Sequence, residues 1–375
     1  MNVTAIQHFI TDLFRNPLVI ILPFGIFAWV LMLLSGNSLI RWLKSLKGMK
    51  WSPREDTPDS HLQKAGTPSM GGIGILGAAT LSWIAAFTLL FSLSYFASPG
   101  SSSGPRAWEW VALSLFMTCV MAHGVLGFVD DWSKARGKGG LTSKAKLAGQ
   151  CGLALVFLLA VIKLVPLLAR STASSNYDSY LQMDWRTALV CGLLLIGTSN
   201  AVNLTDGIDG LAAGLSVQIG IVFGILAGES FHGPTGLFAP SAQLGWLTLG
   251  GACLGFLAFN KNPARVFMGD TGSLALGAAL GAGAILTRSV FLLPFIGFMF
   301  YIETLSVMSQ VAYFKYTKKK TGEGKRIFRR APLHHHFELG GWSEWRVVGT
   351  FWAINALTTI LGLILWKTGI LPRFP

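Results

Sequence analysis

The chain has 375 residues, of which 52% are hydrophobic and only 13% are charged. A soluble globular protein carries about a quarter charged residues, so this composition excludes an ordinary soluble domain and indicates an integral membrane protein. The formal net charge is +13. We expect these basic residues to follow the membrane topology, and we expect no nucleic-acid partner.

Apolar segments long enough to cross a bilayer, at about 20 residues each, recur along the whole chain. The two weakest, 211–228 and 273–288, are rich in Gly and Ala, which suits close helix packing inside a bundle. Before the first segment, apolar residues at helical spacing from Ile6 to Phe14 predict a short amphipathic helix on the membrane surface. About ten spans are predicted, at 17–36, 71–96, 111–129, 147–168, 186–204, 211–228, 244–259, 273–288, 290–314 and 347–370. We therefore predict an all-α membrane protein with one domain over residues 1–375.

The basic residues predict the orientation of these spans. With the N-terminus outside, 21 Lys and Arg residues lie on the cytoplasmic side and 7 on the outer side, as the positive-inside rule requires. Both termini are then outside. The predicted cytoplasmic loops are 37–70, 130–146, 205–210, 260–272 and 315–345.

Five aspartates stand at the cytoplasmic ends of the apolar segments, where carboxylates are costly and usually functional. Acidic groups within a basic surface favour a metal ion and a phosphorylated substrate. The five are Asp130, Asp131, Asp206, Asp209 and Asp270. We therefore predict an active-site cleft that opens to the cytoplasm.

Asp130 and Asp131 end the third span. Neighbours on a helix point about 100° apart, so we expect one carboxylate to act on substrate while the other orients or tunes it. The alternative, a solvated helix end, is disfavoured because two carboxylates oppose the dipole at a helix C-terminus. Lys134 lies three residues further on and Lys146 opens the next helix. Ordinary positive-inside charge is the alternative for both lysines.

Two further cytoplasmic motifs carry oxygen ligands. Asn203, Asp206 and Asp209 are spaced three apart, so each would neighbour the next on a helix; a simple Asp-Gly turn is the alternative. In the segment from Asn260 to Ser273, Asp270 offers oxygen to Mg²⁺ and the surrounding glycines can form an anion-binding nest. The alternative makes Asp270 a helix N-cap.

Phe267 stands just before Asp270 and can stack on a nucleobase. A membrane-interface aromatic is the alternative. In the first loop, Lys64 and Ser69 precede a glycine-rich helix entry that can present backbone amides to a phosphate; an ordinary helix start is the alternative.

The last cytoplasmic loop contains His334, His335 and His336 in succession. Consecutive residues rarely supply three ligands to one tetrahedral zinc ion, so we interpret them as donors to phosphate or sugar oxygens. Glu303 lies within an apolar span that also holds Pro294. An intramembrane carboxylate faces a partner or a cavity, or here stabilises a broken helix.

The motifs taken together resemble the phospho-N-acetylmuramoyl-pentapeptide transferases, in order and over nearly the whole chain. The matching segments are Lys64–Gly72, Asp130–Asp131, Asn203–Gly207, Phe267–Asp270 and Ala331–Glu338. Ser69 stands where threonine is expected, and residues 318–325 are longer than the usual form. Members of this superfamily move sugar-1-phosphates from UDP-sugars to polyprenyl phosphates.

The resemblance implies a ten-helix, homodimeric enzyme of the bacterial plasma membrane. Its reaction converts UDP-N-acetylmuramoyl-pentapeptide and undecaprenyl phosphate to lipid I and UMP with Mg²⁺, the first membrane step of peptidoglycan synthesis. Asp270 would bind Mg²⁺, with Asp206 as a second candidate ligand. Asp130 would be the base toward the lipid phosphate, beside Asp131, with His334 at the catalytic centre. The substrate-binding residues would be Lys64, Ser69, Lys134, Lys146, Asn203, Asp206, Asn260, Phe267, His335 and His336.

Two rival interpretations remain at this point. A UDP-N-acetylglucosamine:polyprenyl-phosphate transferase would share the chemistry, but that branch has a different histidine pattern. A transporter or lipid flippase would place its charged sites near the midplane, whereas the acids here gather at one face. Direct attack by the lipid phosphate and attack through a covalent aspartyl intermediate both fit the sequence.

Overall fold

The computed structural model describes residues 17–46, 64–97, 107–171, 183–230 and 239–372. Across these ranges the protein is built from helices joined by short connections, with no β-strand. The amphipathic helix predicted at Ile6 to Phe14 lies outside the described residues.

The long helices lie at the predicted positions along the chain, except that the segment predicted at 290–314 is divided. The helices are α1 Pro17–Ser45, α2 Gly72–Ala97, α3 Ala107–Ala135, α4 Ser143–Ser171, α5 Trp185–Thr205, α6 Leu211–Ser230, α7 Ala239–Asn260, α8 Gly269–Leu286, α9 Leu293–Ile296, α10 Phe298–Thr321, α11 Leu333–Glu338 and α12 Glu344–Lys367. A 3₁₀ turn at Val290–Leu292 precedes α9.

Seven of the described helices are long and apolar enough to cross a membrane, and a bent pair would make an eighth. The seven lie within α1, α2, α3, α4, α5, α8 and α12. In α6 the described apolar stretch is shorter, Leu211–Gly224. Nine of the ten predicted apolar segments fall on one helix each, and 290–314 falls on two. The described residues are thus those of a helical multi-pass membrane protein, while the total of ten spans stays a prediction.

The segment predicted as one span over 290–314 is broken instead. Val290–Ile296 and Phe298–Thr321 meet at 82°. Pro294 has no N–H to donate to the preceding turn, and Gly297 leaves the helical conformation with φ −108° and ψ 21°. After the break α10 runs on to Thr321, well beyond the predicted end, and stops at Gly322, whose φ of 81° suits a glycine C-cap.

Helix α8 lies at the centre of the bundle. Every residue from Thr271 to Leu286 is buried, and α2, α3 and α5 pack around it. The close crossing of α3 and α8 depends on Gly127, since a Cβ there would stand 2.1 Å from the carbonyl oxygen of Asp270. The same crossing brings the C-terminal end of α3 against the N-terminus of α8, and the aspartates of both helices meet there.

Candidate active site

Asp131 caps helix α8 from helix α3. Its Oδ1 accepts the backbone N–H of Asp270 at 3.1 Å, and its Oδ2 accepts the backbone N–H and the hydroxyl of Thr271 at 2.9 and 2.8 Å. Helix N-terminal amides need such partners, and Met268 at the cap position makes no side-chain cap bond. The alternative in which Asp270 caps its own helix is therefore wrong. The first amides of the predicted anion nest already bind Asp131.

Asp130 faces a different set of groups. Its Oδ1 accepts the backbone N–H of Leu141 at 2.6 Å, and its Oδ2 lies 2.7 Å from Lys134 Nζ and 3.4 Å from Lys146 Nζ. Helix α3 continues through both aspartates to Ala135, so the helical rotation between neighbours gives them different hydrogen-bond partners, although Lys134 Nζ also lies 3.8 Å from Asp131 Oδ1.

Asp270 joins the cluster from the first turn of α8. Its Oδ1 accepts the side-chain N–H of Asn203 at 2.8 Å. Its Oδ2 contacts the ammonium groups of Lys134, at 3.0 Å, and Lys146. The Asn203 amide also donates to Ser273 Oγ at 2.8 Å, which fixes the end of α5 against α8.

Asp130, Asp131 and Asp270 form an acidic cluster that fits a metal ion. One oxygen from each carboxylate lies within 4.8 Å of the others, and hard oxygen donors of this kind are the ligands that Mg²⁺ prefers. Both oxygens of Asp131 already accept N–H or O–H groups, so Asp131 is the poorest ligand of the three. Lys134 and Lys146 are the counter-ions that a cation entering the cluster would displace.

Asp206 borders this cluster as the C-cap of α5. Burial raises the pKa of its carboxyl to about 8, and repulsion from Asp270, Asp131 and Asp209 adds to the rise, while a hydrogen bond from the Gly269 backbone opposes it. The predicted helical spacing through Asp206 and Asp209 is wrong because α5 ends at Thr205. The turn that follows sends Asp209 toward a second cluster.

Lys64 belongs to that second cluster, not to the aspartate cluster. Its Nζ lies 2.8 Å from Asp209 Oδ1 and 2.6 Å from Glu344 Oε1, with 12%, 1% and 10% of the three side chains exposed. Asn262 donates to both carboxylates at 3.1 Å. The Ala264 backbone N–H donates to Asp209 at 2.9 Å. This cluster therefore joins four segments: the first loop, the turn after α5, the loop after α7 and the start of α12.

The loops that carry Ser69 and Phe267 are paired through their backbones. Phe267 N–H donates to the Pro68 carbonyl at 2.9 Å, and Gly71 N–H donates to the Phe267 carbonyl at 2.8 Å. The Phe267 ring is half-buried. A Cβ on Gly269 would stand 3.0 Å from the Ser69 hydroxyl and 2.6 Å from Asp131 Oδ2, so both loops border the acidic cluster.

Asn260 is buried and holds two loop backbones. Its Oδ1 accepts the Gly210 N–H at 3.1 Å and its Nδ2 donates to the Val266 carbonyl at 3.0 Å. Both ends of its amide are thus engaged within the protein.

The three histidines were predicted to lie in a loop, but the structure places them on the short helix α11. Pro332 is its N-cap, with the extended backbone (φ −64°, ψ 171°) that is usual at this position. His334 is fully buried against Glu303. His335 Nδ1 lies 2.8 Å from Glu338 Oε2; burial lowers the pKa of its imidazole to about 4, although Glu338 opposes the shift. His336 Nδ1 accepts the Arg329 backbone N–H at 3.1 Å.

Three residues of the site were not proposed from the sequence. Thr271 and Asn262 lie in the segment from Asn260 to Ser273 that also contains Asp270, and this position was the only signal that could have indicated them. Glu344 follows Ser343, which caps α12. A helix start at Ser343 was predictable, but its approach to Lys64, 280 residues away, was not.

Comparison with known proteins identifies close relatives. The family model described as glycosyl transferase family 4 matches residues 112–288. A phospho-N-acetylmuramoyl-pentapeptide-transferase from Shouchella clausii is 43% identical over 336 residues, covering 88% of this chain and 93% of that protein. The Nostoc punctiforme protein of the same name is 44% identical over 312 residues, covering 83% and 78%. The Anoxybacillus flavithermus protein, also so named, is 42% identical over 352 residues, covering 93% and 98%.

Proposed function

The chain belongs to the phospho-N-acetylmuramoyl-pentapeptide-transferase family, and we propose that it transfers phospho-N-acetylmuramoyl-pentapeptide from its UDP-linked precursor to undecaprenyl phosphate. The products are lipid I and UMP, and the reaction is the first membrane step of peptidoglycan synthesis. The observation that carries the proposal is the convergence of Asp130, Asp131, Asp270, Lys134 and Lys146 at one end of a helical bundle.

The arrangement suits transfer between two phosphorylated substrates. Phosphoryl transfer depends on in-line positioning and charge stabilisation more than on covalent chemistry from the protein. Lys134 and Lys146, which bind Asp130 and Asp270 in this structure, are the cations nearest the cluster and would complement the substrate phosphates. Asp130, with its Oδ2 shared between the two lysines, is assigned as the base toward the lipid phosphate. Asp131 positions Asp270 through the cap on α8.

Asp270 would hold Mg²⁺, with Asp206 as a further candidate ligand, and Asp130 is left as the base beside the ion. The ion would supply positive charge to the diphosphate of the UDP-linked substrate. Asn203 orients Asp270 by its hydrogen bond at 2.8 Å.

The nucleotide pocket is assigned to the loops around the cluster. The half-buried ring of Phe267 is assigned to stack on uracil, near Ser69 and Asn260. Lys64 is assigned to the same pocket, with its charge shared between Asp209 and Glu344 until a phosphate competes for it. His334 is assigned to the catalytic centre, and His335 and His336 to substrate oxygens.

The proposal also covers the protein's setting. The enzyme is a homodimer of the bacterial plasma membrane, forms a single domain, crosses the bilayer ten times with both termini outside, and opens its cleft to the cytoplasm. The 21 to 7 distribution of basic residues supports this orientation.

The function is tested by UMP release from detergent-purified protein with undecaprenyl phosphate and Mg²⁺. We expect release with UDP-N-acetylmuramoyl-pentapeptide and none with UDP-N-acetylglucosamine. Release only from the second substrate would move the protein to the sister branch of the superfamily. No release from either, with folded protein, would favour a transporter.

The metal assignment has its own test in Asp270→Asn. We expect this variant to lose Mg²⁺-dependent turnover while it elutes as folded protein, because a neutral amide is a much poorer ligand for a hard cation than a carboxylate. Rates are measured across a MgCl₂ titration. Asp184→Asn is the control, since Asp184 caps the opposite end of α5 and is exposed. Wild-type rates from Asp270→Asn would remove Asp270 from the metal site.

A further inference from the structure

Glu303 is a fully buried carboxylate in α10, beyond the break that separates this helix from α9. Its Oε1 accepts two hydrogen-bonding groups of one residue: the His334 backbone N–H at 3.1 Å and the His334 ring Nδ1 at 3.2 Å. The two contacts fix both the start of α11 and the orientation of the imidazole.

The contact also selects the protonation form of the ring. As a carboxylate, Glu303 can only accept, so its Oε1 accepts both the backbone N–H and an Nδ1–H of the ring. In the neutral ring the other nitrogen, Nε2, then carries a lone pair. Glu303 therefore keeps Nε2 as an acceptor, in the way that an orienting carboxylate fixes the tautomer of a catalytic histidine.

His334 Nε2 lies against the turn that carries Asp206. A Cβ added to Gly207 would stand 2.3 Å from Nε2, so only glycine permits the ring this close to the turn. Among the described residues, Nε2 is buried and has no hydrogen-bond partner. Glu303 Oε2 is likewise buried without a partner, but it lies on the carboxylate behind the ring, whereas Nε2 faces the turn that carries Asp206. Buried polar atoms are nearly always satisfied, so an unsatisfied acceptor at this turn indicates a donor that comes from outside the chain.

We propose that Glu303 is a positioning residue for the transfer reaction: it fixes His334 so that Nε2, held at the Asp206–Gly207 turn, accepts a hydrogen bond from a donor group of the bound substrate. The donor is an N–H or O–H of the sugar or nucleotide portion. This inference rests on the proposed function, because it takes the substrate class from it.

A purely structural role for Glu303 would predict different behaviour. As a buttress of the broken helix, the carboxylate would matter for folding and its loss would not depend on the ring of His334. As a positioning residue, its loss should have a much smaller effect once that ring is gone, because only the hydrogen bond to the backbone N–H of residue 334 then remains to be lost. A double-variant comparison separates the two roles.

The test compares three variants with wild type in UMP release. Glu303→Met keeps the volume but removes the acceptor, and Glu303→Gln keeps an oxygen that can accept both groups. Ser306→Ala is the matched control, since Ser306 is buried on the same helix and donates to the Glu303 carbonyl at 2.6 Å without contacting the carboxylate.

We expect Glu303→Met to lower kcat/KM for the UDP-linked substrate by about a hundredfold, the loss expected when a reacting group is misplaced by about 1 Å. Glu303→Gln should recover most of that loss, and Ser306→Ala should match wild type. In a His334→Gln background, assayed at enough enzyme to measure its rate, adding Glu303→Met should change kcat/KM by less than about twofold, as for residues that act as one unit. Two results would overturn the proposal. One is an equal loss of activity in Glu303→Met and Glu303→Gln; the other is a loss in the double variant equal to the product of the losses in Glu303→Met and His334→Gln.

A second readout does not depend on turnover. In protein with isotope-labelled histidine, the nitrogen resonance assigned to His334 by its absence in His334→Gln should report protonated Nδ1 and unprotonated Nε2. Glu303→Met should abolish this pattern and Glu303→Gln should keep it. A protonated Nε2 in wild type would refute the inference. Failure of wild type to release UMP would instead refute the proposed function and leave the tautomer result standing.

Discussion

At the scale of single residues, two adjacent aspartates have different hydrogen-bond partners and share only the charge of Lys134. The sequence predicted that Asp130 and Asp131 could not face one site equally, because helix neighbours point about 100° apart. The structure places Asp131 on the backbone of α8 and Asp130 on two lysines. Which carboxylate would cap α8 was not predictable, because the cap joins helices that lie 140 positions apart in the chain.

This separation predicts different effects of two matched substitutions on stability. An asparagine at position 131 must give up one of the two capping oxygens, leaving an amide or a hydroxyl of α8 unsatisfied at a cost of about 1–3 kcal/mol. Asp130→Asn keeps an oxygen for the Leu141 N–H and loses the contacts of Oδ2 with Lys134 and Lys146, both of which keep Asp270 as a partner. Chemical unfolding in detergent should therefore rank Asp131→Asn as the less stable variant. The reverse order would argue against the cap.

Phe267→Ala tests the ring without disturbing the loop. The backbone of Phe267 pairs with Pro68 and Gly71, so removal of the side chain should leave the loop in place. If the ring stacks on uracil, UMP affinity should fall by about 1–3 kcal/mol. Isothermal titration calorimetry measures this loss. An unchanged affinity would return Phe267 to the role of an interface aromatic.

At the scale of helices, long apolar segments were predictable and breaks were not. Pro294 indicated a disturbance in the ninth predicted span, but neither the position of the break at Gly297 nor its angle of 82° was predicted from the sequence. The histidine segment was predicted as loop because it is polar and short. Pro332 starts α11 there, and the Glu303 contact to the His334 backbone satisfies one of its first amides.

The crossing of α3 and α8 predicts a steric effect at Gly127. Alanine there would place a methyl carbon 2.1 Å from the Asp270 carbonyl oxygen, so the helices must separate, at a cost of about 1–3 kcal/mol. The shift would also move Asp270 away from Asp131 and lower turnover. Gly197→Ala on α5 is the control, because a Cβ there has no neighbour within 4 Å. Unfolding and UMP-release assays should separate the two variants, and equal behaviour would contradict the steric argument.

At the scale of the whole molecule, composition and charge predicted the membrane class, and five motifs predicted the residues that gather at one end of the bundle. The division of those residues into two clusters was not predictable. Lys64 reaches Asp209 and Glu344 because the first loop and the last helix meet in space, and nothing in the local sequence of either segment encodes that meeting.

The orientation proposed from charge can be measured by cysteine labelling. Cys151 is exposed and is first replaced by serine. Lys138→Cys, in the loop between α3 and α4, should then react with a membrane-impermeant thiol reagent only in inside-out vesicles. Arg186→Cys, exposed at the start of α5, should react only in right-side-out spheroplasts. The opposite pattern would invert the topology.

The cap that Asp131 provides for α8 also has a meaning in coordination chemistry. A flexible chelator loses conformational entropy when its arms close around a cation. Here α3 already holds α8 through three hydrogen bonds, so Asp130 and Asp270 are brought together when the protein folds and not when an ion arrives. The oxygens are therefore preorganised, as they are in a macrocyclic chelator. We expect the preference of the site among cations to follow the fixed spacing of these oxygens.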